Sequence, residues 1–338
     1  MKVATTFSGG FGSVEFALKY LAIPHEVVFA CEWMKPQRES YLINHGQPTA
    51  NFYEDICDLD GTKYHGGIDY FHESPPCQEY SMSGNRGGAA TEKGQLMYEA
   101  IKKIDQVQPK MFSVENVKGL LSSNNGEDWK NILKDFYSLK GYTISWGVIN
   151  AKEQGTPQNR ERVFIVGFRG TGPQMSFPKR VVLDKVLRDV LEDDVDEKYF
   201  LKDKRLKNMS RGNSVFKERF KLKDLRSNLY ANCIDTKHPN RQRTATFFKR
   251  NGKVSYPTPR ETSRLQGDFK DMFNLKGFSD TKLYEFIGNA MDISTTQNLI
   301  TRMIEHSKIV KFTEPLEPSF EQSSATEVVS LFDVVGAA

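Results

Sequence analysis

Residues 2–21 read KVATTFSGGFGSVEFALKYL. Residues 2–7 form a short apolar and β-branched run that predicts a strand. Gly9, Gly10 and Gly12 then mark a turn, and residues 13–21 carry apolar side chains at helical spacing. Strand, glycine turn and helix in that order open a parallel α/β sheet. Such a turn lets backbone N–H groups come close to a nucleotide-like ligand. The stretch does not match G-x-G-x-x-G, and no G-K-[ST] is present to make a phosphate loop. Taken alone, it is as well explained by a tight turn that binds nothing.

Working outward, the same alternation repeats. Strands are predicted at 26–30, 68–72 and 111–115, and helices at 36–44, 95–107 and 129–139, with two more strands at 143–150 and 162–168. Repeated β-α-β units imply a mostly parallel sheet covered by helices on both faces. After Pro178 the texture changes, and residues 179–255 read as an irregular or β-rich smaller lobe. Residues 261–266 and 283–288 look helical, and 295–306 form an amphipathic helix able to return to the first sheet. The expected division is a catalytic domain at 1–178 completed by 283–310, a small domain at 179–282, and a mobile acidic tail at 313–338.

The chain has 338 residues, with 47 Lys+Arg against 43 Asp+Glu, 38% hydrophobic and 27% charged. At roughly 150 residues per domain, that suits two globular domains. No apolar run approaches the roughly 18 residues of a membrane span, and the N-terminus lacks a signal-peptide stretch. Cys31, Cys57, Cys77 and Cys233 are too scattered for a zinc knuckle and too few for a disulfide scaffold, so no metal is expected. A reducing cytoplasmic location follows, nucleoid-associated if the source is prokaryotic. The formal charge of +4 hides a split. Residues 198–253 hold 17 Lys+Arg against 4 Asp+Glu, while residues 313–338 hold five acids and no Lys or Arg. A basic segment in an otherwise acidic chain points to a polyanionic partner.

Four further motifs carry chemistry. Glu32 follows the second strand about 20 residues after the glycine turn, where an acid can bond ribose hydroxyls, and Trp33 beside it offers a flat face. Asp55 is placed to take an adenine amino group. Cys77 leaves a strand end behind Pro75 and Pro76, at the sheet edge where open α/β folds bind ligands. A thiol there suits attack on a soft electrophilic carbon. Glu115, in Ser113-Val-Glu-Asn-Val117, ends another strand and can serve as acid or hydrogen-bond partner. Arg160 and Arg162 are two apart on an extended chain and point the same way. They are suited to a base carbonyl or the cysteine loop, or to a surface ion pair.

In combination, TFSGGFGS, CEW, DI, PPCQ, ENV, QNRER, a basic spacer, TPRETSRLQG and GNA resemble, in order, the DNA cytosine-5 methyltransferase family. The resemblance covers residues 3–168 and 256–303. It implies an S-adenosylmethionine-dependent, Rossmann-like α/β sheet with a smaller, basic target-recognition domain. It also implies base flipping and methylation of cytosine C5 through a covalent Cys77–C6 adduct. Glu115 would act at N3, Arg162 at O2, and Arg160 near the cysteine loop. For S-adenosylmethionine, the resemblance implies Phe7, Gly9, Gly10 and Gly12, Glu32, Trp33, Asp55 and Ile56, with Pro76, Leu96 and Asn289 toward the methionine part. Arg260, Glu261 and Arg264 would tie the small lobe together. The glycine turn carries one extra residue relative to the family pattern, which leaves open which glycine does which job.

The basic spacer stands where the family keeps target recognition. Arg205, Arg211, Arg219, Arg226, Arg241 and Arg243 are candidates for reading DNA. The expected partner is double-stranded DNA, with a cognate restriction endonuclease as a second protein acting on the same site, and the enzyme is expected to act as a monomer. Val328-Val-Ser-Leu-Phe332 resembles, without its usual leading Gln, the short motif that docks on the bacterial sliding clamp. One branch of the family methylates tRNA. That branch follows Pro-Pro-Cys-Gln with Pro-Phe-Thr, whereas Glu79-Tyr80-Ser81 stands here. A catalytically silent DNA-binding regulator is the reading from another class, and the presence of both Cys77 and Glu115 argues against it. A nicotinamide dehydrogenase would need the G-x-G-x-x-G that is missing.

Overall fold

A computed structural model describes residues 1–76, 91–202, 230–236, 246–250 and 252–321. Cys77, the six arginines of the basic spacer and the 328–332 motif lie outside the described residues. The opening stretch folds as read, with β1 at Lys2–Thr6, a glycine turn, and α1 at Ser13–Tyr20. β2 (Glu26–Cys31), α2 (Lys35–His45) and β3 (Asn51–Tyr53) follow. Next come β4 (Tyr70–Glu73), α3 (Glu92–Val107), β5 (Met111–Val117) and α4 (Glu127–Ser138). β6 (Tyr142–Asn150) and β7 (Glu161–Thr171) form a long antiparallel pair.

The main sheet runs β7-β5-β4-β1-β2-β3, with β6 on β7. The five strands from β5 to β3 are parallel, whereas β7 is antiparallel to β5. Alternation along the strands divides two cores. Val3, Tyr70 and Met111 pack with Val14 and Leu18 of α1 and with Leu299 and Met303. Ala4, Phe71 and Phe112 pack on the other face with Ile101 and Ile104 of α3 and Ile132 and Phe136 of α4. Burial on both faces is why β4 reads as an unbroken buried run rather than an alternating one.

The second lobe has a small core of its own, in which Leu187, Val190, Ala231, Ile234, Phe248 and Leu265 meet. It contains the hairpin β8 (Phe248–Arg250) and β9 (Lys253–Ser255) and the helix α5 (Pro259–Arg264). Glu261 closes a capping box with Thr258 and receives Arg250, and Arg264 pairs with Asp271 through two bonds of 2.8 and 2.7 Å. These are the structural roles expected of Glu261 and Arg264. The chain then returns earlier than the sequence division at 282. Phe273 stacks on Phe11 of the glycine turn, and Tyr20 donates to Asp268 at 2.8 Å. α6 (Asp280–Asn289) and α7 (Ile293–Ser307) complete the first domain.

The first residues of the tail lie against the domain. β10 (Lys311–Phe312) pairs antiparallel with Gly170 and Thr171. Beyond it, Arg169 donates to the Thr313 carbonyl at 3.0 Å, and the N–H groups of Ser319 and Phe320 donate to Asp105 at 2.5 and 2.8 Å. A carboxylate and a guanidinium on the domain thus meet residues 313–320, which lie against it as a strap. Among the described residues, no helix is long and apolar enough to cross a membrane.

Candidate active site

The strand registers bring several strand ends to one level. Thr6 pairs with Cys31 and with Glu73, Cys31 with Tyr53, and Glu73 with Val114. The turns that follow, at 7–12, 32–34, 54–55 and 74–76, therefore share one rim with the last residues of β5, 115–117. Chain progression reverses between β1 and β4, and in open α/β sheets that reversal opens the ligand crevice.

Two glycines explain the first turn. Gly9, at φ 66°, donates its N–H to Glu32 Oε2 at 2.9 Å, and a Cβ there would lie 3.2 Å from the Asn289 carbonyl oxygen. Gly12, at φ 61°, begins α1, and a Cβ would press on Glu15, His45 and Tyr41 at 2.8–2.9 Å. Gly10 lies against Gln37 and Phe286, and Phe7 also takes a positive φ. The turn is braced from α2. Lys19 reaches His45 Nδ1 at 2.9 Å, so the opposite nitrogen carries the proton and donates to the Phe11 carbonyl at 2.6 Å. Burial pushes His45 down to about 4, which keeps it neutral for that task.

Glu32 is buried, and its other oxygen accepts the Met34 N–H at 3.0 Å. Burial pushes its carboxyl above the ordinary range, against the pull of the Met34 and Gly9 N–H groups and of Arg38. Trp33 beside it is 67% exposed. Asp55 turns its Oδ1 to the Cys57 N–H at 2.9 Å, while the Ile56 side chain is in the core, so that residue offers the rim only its backbone. Asn289 ends α6 and stands over the glycine turn. Pro76 is half-buried, and the Pro75 carbonyl before it accepts from Asn116 Nδ2 at 3.2 Å. Leu96 is half-buried on α3 and packs against the sheet core.

On the β5 side of the crevice, Glu115 Oε1 and Arg162 Nε are paired at 2.9 Å, both largely buried. Arg160 and Arg162 share a face as their spacing requires, but their targets differ. Arg160 Nη1 donates to the Ile234 carbonyl at 2.9 Å, and Nη2 to those of Ala290 and Gly288 at 2.8 and 3.3 Å. A buried guanidinium needs an acceptor for its N–H groups, and the ends of α6 and of the second lobe supply them. Among the described residues, Arg160 thus bonds the seam between lobes, while the cysteine loop from residue 77 lies outside them. At that seam a Cβ on Gly288 would lie 2.4 Å from the Asp235 carbonyl carbon.

Two participants were missed in the sequence. Gln158, fully buried, donates to the Leu265 carbonyl at 2.6 Å and accepts the Ile234 N–H at 2.9 Å. Cys233 lies 3.6 Å from Arg160 Nη1 and 3.9 Å from Arg162 Nη2. Burial alone would push its thiol up; the charges of Arg162 and Arg160 outweigh that and bring it below the ordinary value. Nothing local marked Cys233, since only the docking of the second lobe puts it between two guanidinium groups. Among the described residues, no group of three or more His, Cys, Asp or Glu side chains is placed to hold a metal ion.

A largely parallel sheet with a glycine turn, a buried acid and a Glu–Arg pair on one rim is consistent with an S-adenosylmethionine-dependent methyltransferase fold. The model of the C-5 cytosine-specific DNA methylase family matches residues 1–305, and the chain belongs to this family. By that membership it is a DNA cytosine-5 methyltransferase. It is similar to the Type II methyltransferase M.DsaV of Dactylococcopsis salina, at 30% identity over 288 residues, 82% of this chain and 80% of that protein. It is equally similar to the Type II methyltransferase M.HpaII of Haemophilus parainfluenzae, at 30% over 325 residues, 88% and 87% of the two chains. Among solved structures, Dnmt2 methyltransferase of S. pombe superposes with a TM-score of 0.74 at 20% identity, covering 90% of this chain and 98% of that one. An E. coli prophage protein described as a putative DNA modification methyltransferase gives 0.66 at 19%, covering 91% and 99%.

Proposed function

We propose that this chain methylates C5 of a cytosine extruded from duplex DNA, with S-adenosylmethionine as donor. The observation that carries the reading is the Glu115–Arg162 pair, which stands on the same rim as the glycine cradle of residues 7–12. The cradle suits the cofactor on three counts. Gly9 leaves no room for a Cβ against Asn289, Glu32 is a buried carboxylate fixed by two N–H groups, and Trp33 is an exposed flat ring. In this reading Glu32 bonds the ribose, Trp33 covers the adenine, and Asp55 with the Ile56 backbone meets its edge. Asn289, Pro76 and Leu96 flank the methionine part. When bound, S-adenosylmethionine supplies an electrophilic methyl group.

The chain's own residues prepare the base. The Cys77 thiolate forms a bond to C6, which makes C5 electron-rich enough to attack carbon. Glu115 holds a proton at N3, so that charge pushed into the ring is neutralised as it develops. Arg162 donates to O2 while keeping Glu115 oriented. Arg160 acts as a positioning residue, since its donors go to the carbonyls of Ile234, Gly288 and Ala290. A base then takes the C5 proton, the electron pair returns to the ring, and the C6–S bond breaks to release Cys77.

The names of the similar Type II enzymes support a role in restriction–modification, with a cognate endonuclease reading the same site. The test is label transfer from radioactive S-adenosylmethionine to duplex DNA and, in parallel, to tRNA, with wild type and Cys77→Ser. Label in DNA that disappears in the variant is the expected result, and bisulfite sequencing then gives the site. Label confined to tRNA moves the chain to the RNA branch. Cofactor binding without transfer to either would favour the silent regulator.

A further inference from the structure

Arg38 belongs to none of the family motifs, yet its side chain meets three parts of the rim. It sits one turn into α2, and a helical side chain there leans back toward the helix start. Its Nη1 donates to the Glu32 carbonyl at 3.0 Å and to the Trp33 carbonyl at 2.5 Å. Its Nη2 pairs with Glu54 Oε1 at 3.0 Å. The guanidinium is itself only 14% exposed, whereas Glu54 is 71% exposed. One side chain thus ties the turn after β2 to the turn after β3, and fills two carbonyls at a strand end that has no further strand partner.

We propose that Arg38 is the positioning residue for the nucleoside end of the cofactor, locking the Glu32–Trp33 turn and the Glu54–Asp55 turn into one cradle. The proposal rests on the reading of this rim as the S-adenosylmethionine site. Trp33 has little packing of its own, so its ring direction depends on a fixed backbone, and Arg38 fixes it. Arg38 also contributes charge. Arg38 acts on the Glu32 carboxylate and pairs with Glu54, and the neighbouring Cys31 feels Glu32, Asp55, Glu73 and Arg38. Arg38 is the cation in that set, and it helps a buried carboxylate stay ionised and able to accept from hydroxyl groups.

The experiment is calorimetric titration of the full chain with S-adenosylmethionine between pH 6 and 8, using wild type, Arg38→Met, Arg38→Lys and Glu54→Gln. Arg38→Met is expected to raise Kd roughly tenfold or more and to make binding weaken as pH falls, because Glu32 then takes up a proton. Arg38→Lys keeps the charge but not the fork, so binding stays nearly flat with pH and only part of the affinity returns. Glu54→Gln, which alters an exposed group, is expected to raise Kd by about two- to fivefold. Wild-type affinity in Arg38→Met at every pH, even with a lowered Tm, would overturn the proposal, as would a loss without pH dependence that Arg38→Lys restores in full. A wild type that binds no S-adenosylmethionine would overturn the reading of the site itself, a result distinct from any variant's behaviour.

Discussion

Glu115 and Arg162 are a carboxylate and a guanidinium 2.9 Å apart, each walled in by strand residues. Such a pair holds its geometry in advance, so removing the acid function should cost rate rather than fold. Glu115→Gln is expected to lower single-turnover methyl transfer about 10²–10³-fold, with the circular dichroism spectrum unchanged; near-wild-type transfer would remove Glu115 from the chemistry. Arg160 should behave the other way. Truncating it removes one donor from each of three carbonyls inside the seam, and Arg160→Ala is expected to cost about 3 kcal/mol of stability. Urea denaturation would measure that loss. A drop in activity with no change in midpoint would contradict the structural role.

At the level of elements, Gly288 on α6 lies hard against main chain, with the Asp235 carbonyl carbon 2.4 Å from the place of a Cβ. Because that neighbour is main chain, Gly288→Ala is expected to destabilise the protein by about 2–3 kcal/mol, read as a fall in Tm. The strap offers a gentler test. Asp105→Ala removes the acceptor for two backbone N–H groups and should cost about 1–2 kcal/mol, with faster hydrogen exchange confined to residues 311–321. The long elements were legible in the sequence because burial writes period 2 or 3.6 into them. β3, β8, β9 and β10 have only two or three residues each, too short for any period to show. The contacts of the strap were not legible for a related reason: Asp105 and Arg169, which bond to it, lie far away in the chain. The residues of the proposed cofactor rim could be named from the sequence because each of its turns carries its own short motif; the contacts of Arg160, Gln158 and Cys233 could not, because a second lobe creates them.

Across the whole molecule, buried titratable groups set the pH response. His72 bonds Ser113 and Ser74 beneath the crevice, at 2.7 and 2.8 Å, and burial lowers it to about 3. His45 is lowered to about 4 by the same cause. Both histidines are neutral when folded and take a proton below about 6.5 when unfolded. The unfolded chain therefore binds more protons between roughly pH 4 and 6.5, and stability must rise with pH across that window. Glu73 opposes this, since burial holds it protonated in the fold well above the usual carboxylate range. Its contribution is present at low pH and fades once pH passes the ordinary Glu value of about 4.3. The unfolding free energy from urea denaturation is expected to carry a rising component between about pH 4 and 6.5 from these two histidines, set against the falling component of the buried carboxyls Glu32 and Glu73. His72→Asn should reduce the rising component, and an unchanged pH dependence would count against it.

The strap and the first strand also give the enzyme a direction. Met1 donates to the Pro24 carbonyl at the start of the sheet, and residues 313–320 run along that same edge, against Gln108, Asp105 and Gly66. The proposed cofactor rim is at the other end of the strands. A tether joined before Met1 therefore departs from the back of the protein. Immobilised on a bead or fused to a second DNA-reading module by that route, the enzyme would keep that rim facing outward.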